Sequence, residues 1–217
     1  MTLPKILFRD DRFLVIDKPA GLPVHPGPRA KASVEDFFPA LRFERREDPA
    51  LCHRLDADTA GCLVLARRRS ALRAANALFA AGQVAKTYWA VVRGLPAGDA
   101  GTIDLALAKH SDKAGWRMEA DPAGQHAVSD WRVLARGVDS AWLEISPRTG
   151  RTHQVRAHAA FGLGCPVLGD ARYGGSEGPL QLLARAILLP LDPPVAASAP
   201  VPSHMQAALA ACGWSEA

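Results

Sequence analysis

The chain is poor in the features that define several protein classes. Its 217 residues include four cysteines, Cys52, Cys62, Cys165 and Cys212, with no CxxC pair among them. Neither a zinc site nor a dense disulfide framework is suggested, and the thiols are expected to be reduced and structural. No apolar run approaches the roughly 20 residues of a membrane-spanning helix; AILLPL at 186–191 is short and broken by proline. The N-terminus, MTLPKILFRDDRFLVIDK, alternates charge with apolar residues and has no long apolar core followed by a small-residue cleavage site, so a cytoplasmic protein is expected. GxxxxGK loops, GxGxxG turns and metal-ligand spacings are missing, which argues against nucleotide, dinucleotide or metal chemistry. No internal repeat is visible.

What is present is an ordinary globular composition, 48% hydrophobic and 22% charged, in a chain long enough to bury a sizeable core. A single catalytic domain over 1–217 is the expectation. The net charge of +4 and pI near 9.1 are compatible with a polyanionic partner, although charge alone does not decide it. Arginines cluster in ARRRSALR at 66–73 and LRFERRED at 41–48. Guanidinium suits phosphate and base contacts, while solvated helix faces would account for either cluster equally well.

Along the chain, FLVID at 13–17 reads as a strand and the glycine- and proline-rich KPAGLPVHPGP after it as a loop. SVEDFFPAL predicts a short helix capped by Ser33, with Glu35 and Asp36 at its positive end and Pro39 limiting its run. CLVLA at 62–66 predicts a buried strand fed by a turn from Arg54 to Gly61. Leu72, Ala75, Leu78 and Phe79 recur at helical spacing between Arg69 and Ala81, with Gly82 as the stop. KTYWAVVRG at 86–94, HAVSDWRVLARG at 126–137 and DSAWLEISP at 139–147 read as strands whose short connections favour antiparallel pairing. RTHQVRAHAAFG at 151–162 has helical character, QLLARAILL at 181–189 reads as a core strand, HMQAALAACG at 204–213 as a terminal helix, and DPPVAASAPVPS at 192–203 as linker-like.

Two constellations carry candidate chemistry. His53-Arg54-Leu55-Asp56-Ala57-Asp58-Thr59-Ala60-Gly61 places a carboxylate in a glycine-ended turn beside an arginine; alone, such an aspartate reads as a cap. Arg148 to His158 packs three arginines, two histidines and a glutamine together. A helix from Thr152 would put His153 and Arg156 on one face, with His158 on another side. HxxxxH is not the HExxH zinc spacing, so an anion-binding or aspartate-pairing helix is the better reading.

HRLDADTAG resembles the HRLDxxTSG signature of the RluA family of RNA pseudouridine synthases. DKPAGLPVHPG, AKTYWAVVRG and RTGRTHQVRAHAAFGLGCPVLGDARYG resemble further segments of that family, in matching order from about Leu14 to Leu188. The resemblance implies an α+β fold with a mixed, mainly antiparallel central sheet flanked by helices and loops. It implies isomerisation of specific uridines in structured RNA, ribosomal or transfer, by a monomer without cofactor or metal. The resemblance is to the short form of the family, for which no N-terminal RNA-binding domain of the S4 type is expected. Carried onto this chain, the catalytic residues would be Asp56, Tyr88 and Arg156, with Arg156 pairing with the aspartate. Leu183, or Leu182, would line the base pocket, and Arg54, His53, Arg151 and His153 would contact RNA or substrate. Two positions depart from the family pattern: Ala60 stands for serine, and Ala184 for the histidine of the late strand.

These residue types suit the reaction. Breaking the C1′–N1 bond and forming C1′–C5 needs a carboxylate near the sugar carbon, as nucleophile or base. A guanidinium would keep it ionised, and a tyrosine can stack on the base and relay a proton at C5. The uridine must first be flipped out of its stack. Read without the family, Tyr88 is core, Arg156 a surface residue, and His53 and His158 partners of backbone groups. His25, Lys18 and Gly21 shape their loop, and Asp170 ties its own by side-chain to backbone bonds. The competing functions are a catalytically silent RNA-binding module of the same fold and a hydrolase that releases uracil, for which Asp58 would be the second carboxylate.

Overall fold

Short apolar runs bounded by glycine, proline and charge become strands in the computed structural model, which describes residues 2–27, 31–112, 115–174 and 177–216. In chain order the strands are β1 (Lys5–Arg9), β2 (Phe13–Lys18), β3 (Ala50–Leu51), β4 (Ala60–Ala66), β5 (Ala85–Arg93) and β6 (Ala100–Asp104). They continue as β7 (Leu107–Asp112), β8 (Gly115–Ala120), β9 (Val128–Arg136), β10 (Ser140–Pro147), β11 (Leu182–Leu189) and β12 (Val195–Ser198). The α-helices are α1 (Phe38–Leu41), α2 (Arg69–Ala80), α3 (Gln154–Ala157) and α4 (Ser203–Ala210). Two compact units result: Met1–Lys86 with Leu183–Pro200, and Thr87–Leu182 with Val201–Ala217.

In the first unit β2 pairs antiparallel with β1 and β4, and β11 pairs parallel with β4 and antiparallel with β12. Every residue of β4 is buried. That is why its run is continuously apolar and not alternating, as a strand covered on both faces must be. Phe13 to Ile16, Leu63 to Leu65, Leu183 and Leu189 form much of the unit's core. Helix α2 lays Ala71, Leu72, Ala75, Leu78 and Phe79 inward, the face its periodicity predicts, and ends just before Gly82 at φ +67°. In the second unit β10 lies between β5 and β9, with β6 beyond β9, all antiparallel, while β7 and β8 form a separate antiparallel pair. Its core joins Ala90 and Val92 of β5, Leu143 and Ile145 of β10, Val155, Val167, Leu180 and Leu182.

The α+β, mainly antiparallel fold expected from the sequence is therefore present, with three corrections. SVEDFFPAL forms a 3-10 turn over Val34–Phe37 and then α1, and Pro39 sits in the first turn of α1, where a missing N–H does no harm. The stretch at 192–203 is not a linker: Val195–Ser198 is strand β12, which buries Val195 and pairs with β11. The helix expected from Thr152 begins at Gln154 instead, because His153 takes a left-handed conformation at φ 52°. It continues past α3 as a wider π-turn over His158–Gly162. The KPAG loop is as expected, except that Pro28 lies outside the described residues.

Gly61, second in β4, has φ +110°, and a Cβ there would lie 2.3 Å from the Ala184 carbonyl oxygen and 2.9 Å from Leu183 Cδ1. Only glycine permits both the backbone conformation and the approach of β11. Gly61→Ala is expected to lower unfolding stability by about 3 kcal/mol, read as a fall in the urea midpoint. An unchanged midpoint would show that the β4–β11 approach does not constrain this position.

Candidate active site

In the first unit, the Asp56 turn is fixed from beneath by a buried ammonium. Lys18, at the end of β2, is 0% exposed, and its Nζ donates to the carbonyl oxygens of Pro19 at 2.9 Å, Leu22 at 2.8 Å and Ala57 at 2.7 Å. The Gly21 N–H adds a second bond to the Ala57 oxygen at 2.9 Å, made possible by φ +82° at that glycine. The KPAG loop and the residue after Asp56 are thus stitched together at one atom. Burial pushes the Lys18 pKa down to about 8, opposed by the carboxylates of Asp58, Asp56 and Asp17. The turn closes with Thr59 N–H on the Asp56 carbonyl at 3.1 Å, and buried Leu55 and Thr59 anchor its flanks. Asp56 itself is half-buried, whereas Arg54 and Asp58 are exposed.

Leu183 packs against Gly61, five residues beyond Asp56, and Ala184 pairs with Gly61 across the parallel ladder. Leu182 joins the core of the second unit. Ala60 is buried in β4. His53 faces inward: its Nε2 accepts from the Val64 N–H at 3.0 Å, and its ring lies 4.9 Å from that of Phe79. Burial, with Lys86 nearby, pushes its pKa down to about 4, so the imidazole is neutral and can accept. His25 pairs with Glu35 of the 3-10 turn at 2.7 Å, which joins its loop to that turn. Burial also pushes the thiols of Cys52 and Cys62 up to about 12.

In the second unit Tyr88 lies on β5 opposite Ile145 and packs against the core. Arg156 forms a buried two-pronged pair with Asp170, Nε to Oδ2 and Nη2 to Oδ1, each at 2.7 Å. Asp170 also accepts from the N–H groups of Arg172 and Tyr173 at 3.1 and 3.2 Å, the loop tie expected of it. Sequence reasoning missed its pairing with Arg156, and nothing in the spacing of the two residues signals it. It also missed Gln154, whose Oε1 accepts from Thr149 Oγ1 and Arg151 N–H while Nε2 donates to Val128 O and Ser129 Oγ, at 2.7 to 2.9 Å. This buried amide ties down the turn in which His153 is left-handed.

Arg151 is exposed and donates to His126 O at 3.0 Å. His153 bonds the Tyr173 hydroxyl at 3.0 Å and stacks on Trp116 at 4.8 Å. His158 is buried against Ser129 Oγ at 3.0 Å and Leu105 O at 3.3 Å, and burial lowers its pKa. The two histidines thus serve separate networks. Among the described residues no three His, Cys, Asp or Glu side chains are grouped to hold a metal ion, and no helix is long and apolar enough to cross a membrane.

Residues 12–161 match the family model described as RNA pseudouridylate synthase. An uncharacterized RNA pseudouridine synthase of Zymomonas mobilis is 42% identical over 205 residues, covering 91% of this chain and 94% of that protein. The mitochondrial pseudouridylate synthase RPUSD4 of Bos taurus is 34% identical over 226 residues, and the match spans 93% of this chain but 60% of the bovine protein. Among solved structures, human RNA pseudouridylate synthase domain containing 4 superposes with a TM-score of 0.82 at 31% identity, covering 96% of this chain and 92% of that one.

The His53 bond carries a pH signature. The unfolded imidazole takes up a proton near 6.5 and the folded one near 4, so stability is complete above about 6.5 and is lost as pH falls toward 4. At its fullest this loss is about 3 kcal/mol. Wild-type protein should lose more unfolding free energy between pH 7 and 4.5 than His53→Gln, which keeps an acceptor without a titrating ring. Parallel curves would contradict the assignment.

Proposed function

This chain belongs to the RNA pseudouridylate synthase family and is an isomerase, and from that premise we propose that it converts specific uridines of structured ribosomal or transfer RNA to pseudouridine with Asp56 as the catalytic carboxylate. The observation that carries the reading is the fastening of the Asp56 turn by Lys18 and Gly21 on the Ala57 carbonyl. It holds a half-buried carboxylate in one place, and fixed placement is what attack at a sugar carbon requires.

The chemistry divides among the candidates. With the uridine flipped out, Asp56 acts at the sugar as nucleophile or base while C1′–N1 breaks. The uracil turns, C1′–C5 forms, the proton at C5 leaves and N1 ends protonated, so no atom is gained or lost. Tyr88 stacks on the base and relays the C5 proton. Arg156 contributes its guanidinium charge to the reaction, and Leu183 lines the pocket with apolar surface. Exposed Arg54 and Arg151 contact phosphate or fill the space the base leaves. Shape and flipped-base contacts select the RNA.

Two outcomes follow. Asp56→Asn should cut release of tritium from RNA labelled at uridine C5 on the order of a thousandfold or more, with the melting temperature and RNA affinity nearly unchanged; substantial residual release would sink the assignment. Removing the Arg156 side chain would leave Asp170 buried and unpaired, at about 3–5 kcal/mol, so Arg156→Lys is the informative change, since an ammonium cannot reproduce the two-pronged geometry. Turnover should fall further than affinity. A loss confined to affinity and growing with salt would make Arg156 a phosphate contact instead.

A further inference from the structure

One turn of the second unit holds Arg156 from two sides. Asp170 grips Nε and Nη2 of the guanidinium, each at 2.7 Å, with the directional geometry of a bidentate pair. Three residues on, the ring of Tyr173 turns its face to Arg156, with Cζ 5.3 Å from the ring centroid. The same Asp170 shapes the turn that presents this ring, through its side-chain bonds to the Arg172 and Tyr173 N–H groups and the Gly174 N–H on its carbonyl at 2.7 Å.

The Tyr173 ring is held in turn by its hydroxyl. The phenol oxygen accepts from the Met118 N–H of β8 at 2.9 Å and bonds His153 Nδ1 at 3.0 Å. His153 is itself stacked on Trp116 of β8, with the cations of Lys109 and Arg172 at 4.8 and 5.0 Å from the indole. Phe161 supports the ring edge-on at 6.0 Å. The phenol is thus bolted to the β7–β8 pair at one end while its face meets the Arg156 guanidinium at the other.

We propose that Tyr173 is a positioning residue for the uridine isomerisation, acting through Arg156, with the β7–β8 pair as its anchor. The inference rests on the reading of Arg156 as part of the reaction machinery. Tyr173→Phe keeps the ring against the guanidinium and removes both bonds that orient it, so the defect should appear in the chemical step and not in RNA capture.

The test is single-turnover tritium release from total RNA of cells lacking the gene, labelled at uridine C5, with enzyme in excess. Tyr173→Phe should lower the plateau rate roughly tenfold or more while the half-saturating enzyme concentration and melting temperature change little. His153→Asn, which leaves the Met118 bond in place, should give a smaller fall. In an Arg156→Lys background, Tyr173→Phe should have little further effect, because two residues acting through one another are not additive. A wild-type plateau rate for Tyr173→Phe, a defect confined to half-saturation, or a full tenfold fall retained on top of Arg156→Lys would each overturn the proposal. Wild-type enzyme that releases no tritium would overturn instead the isomerase reading beneath it.

Discussion

The arrangement around Asp56 depends on burying one positive charge. Taking an ammonium out of water costs several kcal/mol unless its protons are met, and Lys18 meets that cost with three carbonyl oxygens drawn from two loops. Nearby carboxylates at Asp17, Asp56 and Asp58 favour the charged form. The consequence is geometric: the loop after β2 and the turn before β4 have one common arrangement that satisfies the ammonium, and that arrangement fixes Asp56. The β4–β11 approach at Gly61 then sets Leu183 against the start of the same strand.

The second unit solves a similar problem with the opposite sign at its centre. Asp170 is buried, and two N–H groups and a guanidinium compensate it. Buried Gln154 and the left-handed His153 join the strand ends to this cluster. Both units place buried charges where loops meet strands, and each charge fixes a loop that local propensity alone would leave undetermined.

This difference explains what the sequence could and did not disclose. Strands β2, β4, β5, β9, β10 and β11 and helix α2 bury apolar residues in runs or at fixed spacing, and these were legible. Strands β1 and β6 carry mostly half-buried or exposed residues and β7–β8 is largely polar, so they lack a periodic signal and went unread; β12 was hidden among prolines whose loss of N–H groups costs little beside an outer strand. At the site, the loop-positioning role of Lys18 was legible from its motif. The Arg156–Asp170 pair was not, because a contact made across a loop by two charged side chains leaves no periodicity. The left-handed His153 is equally silent, since no glycine marks it, and with it the chain from Trp116 to Tyr173 stayed out of view.

The most direct test of the account is to treat total RNA from cells lacking the gene with purified protein and map pseudouridine by carbodiimide adducts and primer extension. The account predicts new stops at one or a few uridines, with no free uracil. Absence of any stop, or uracil released from an abasic strand, would contradict it.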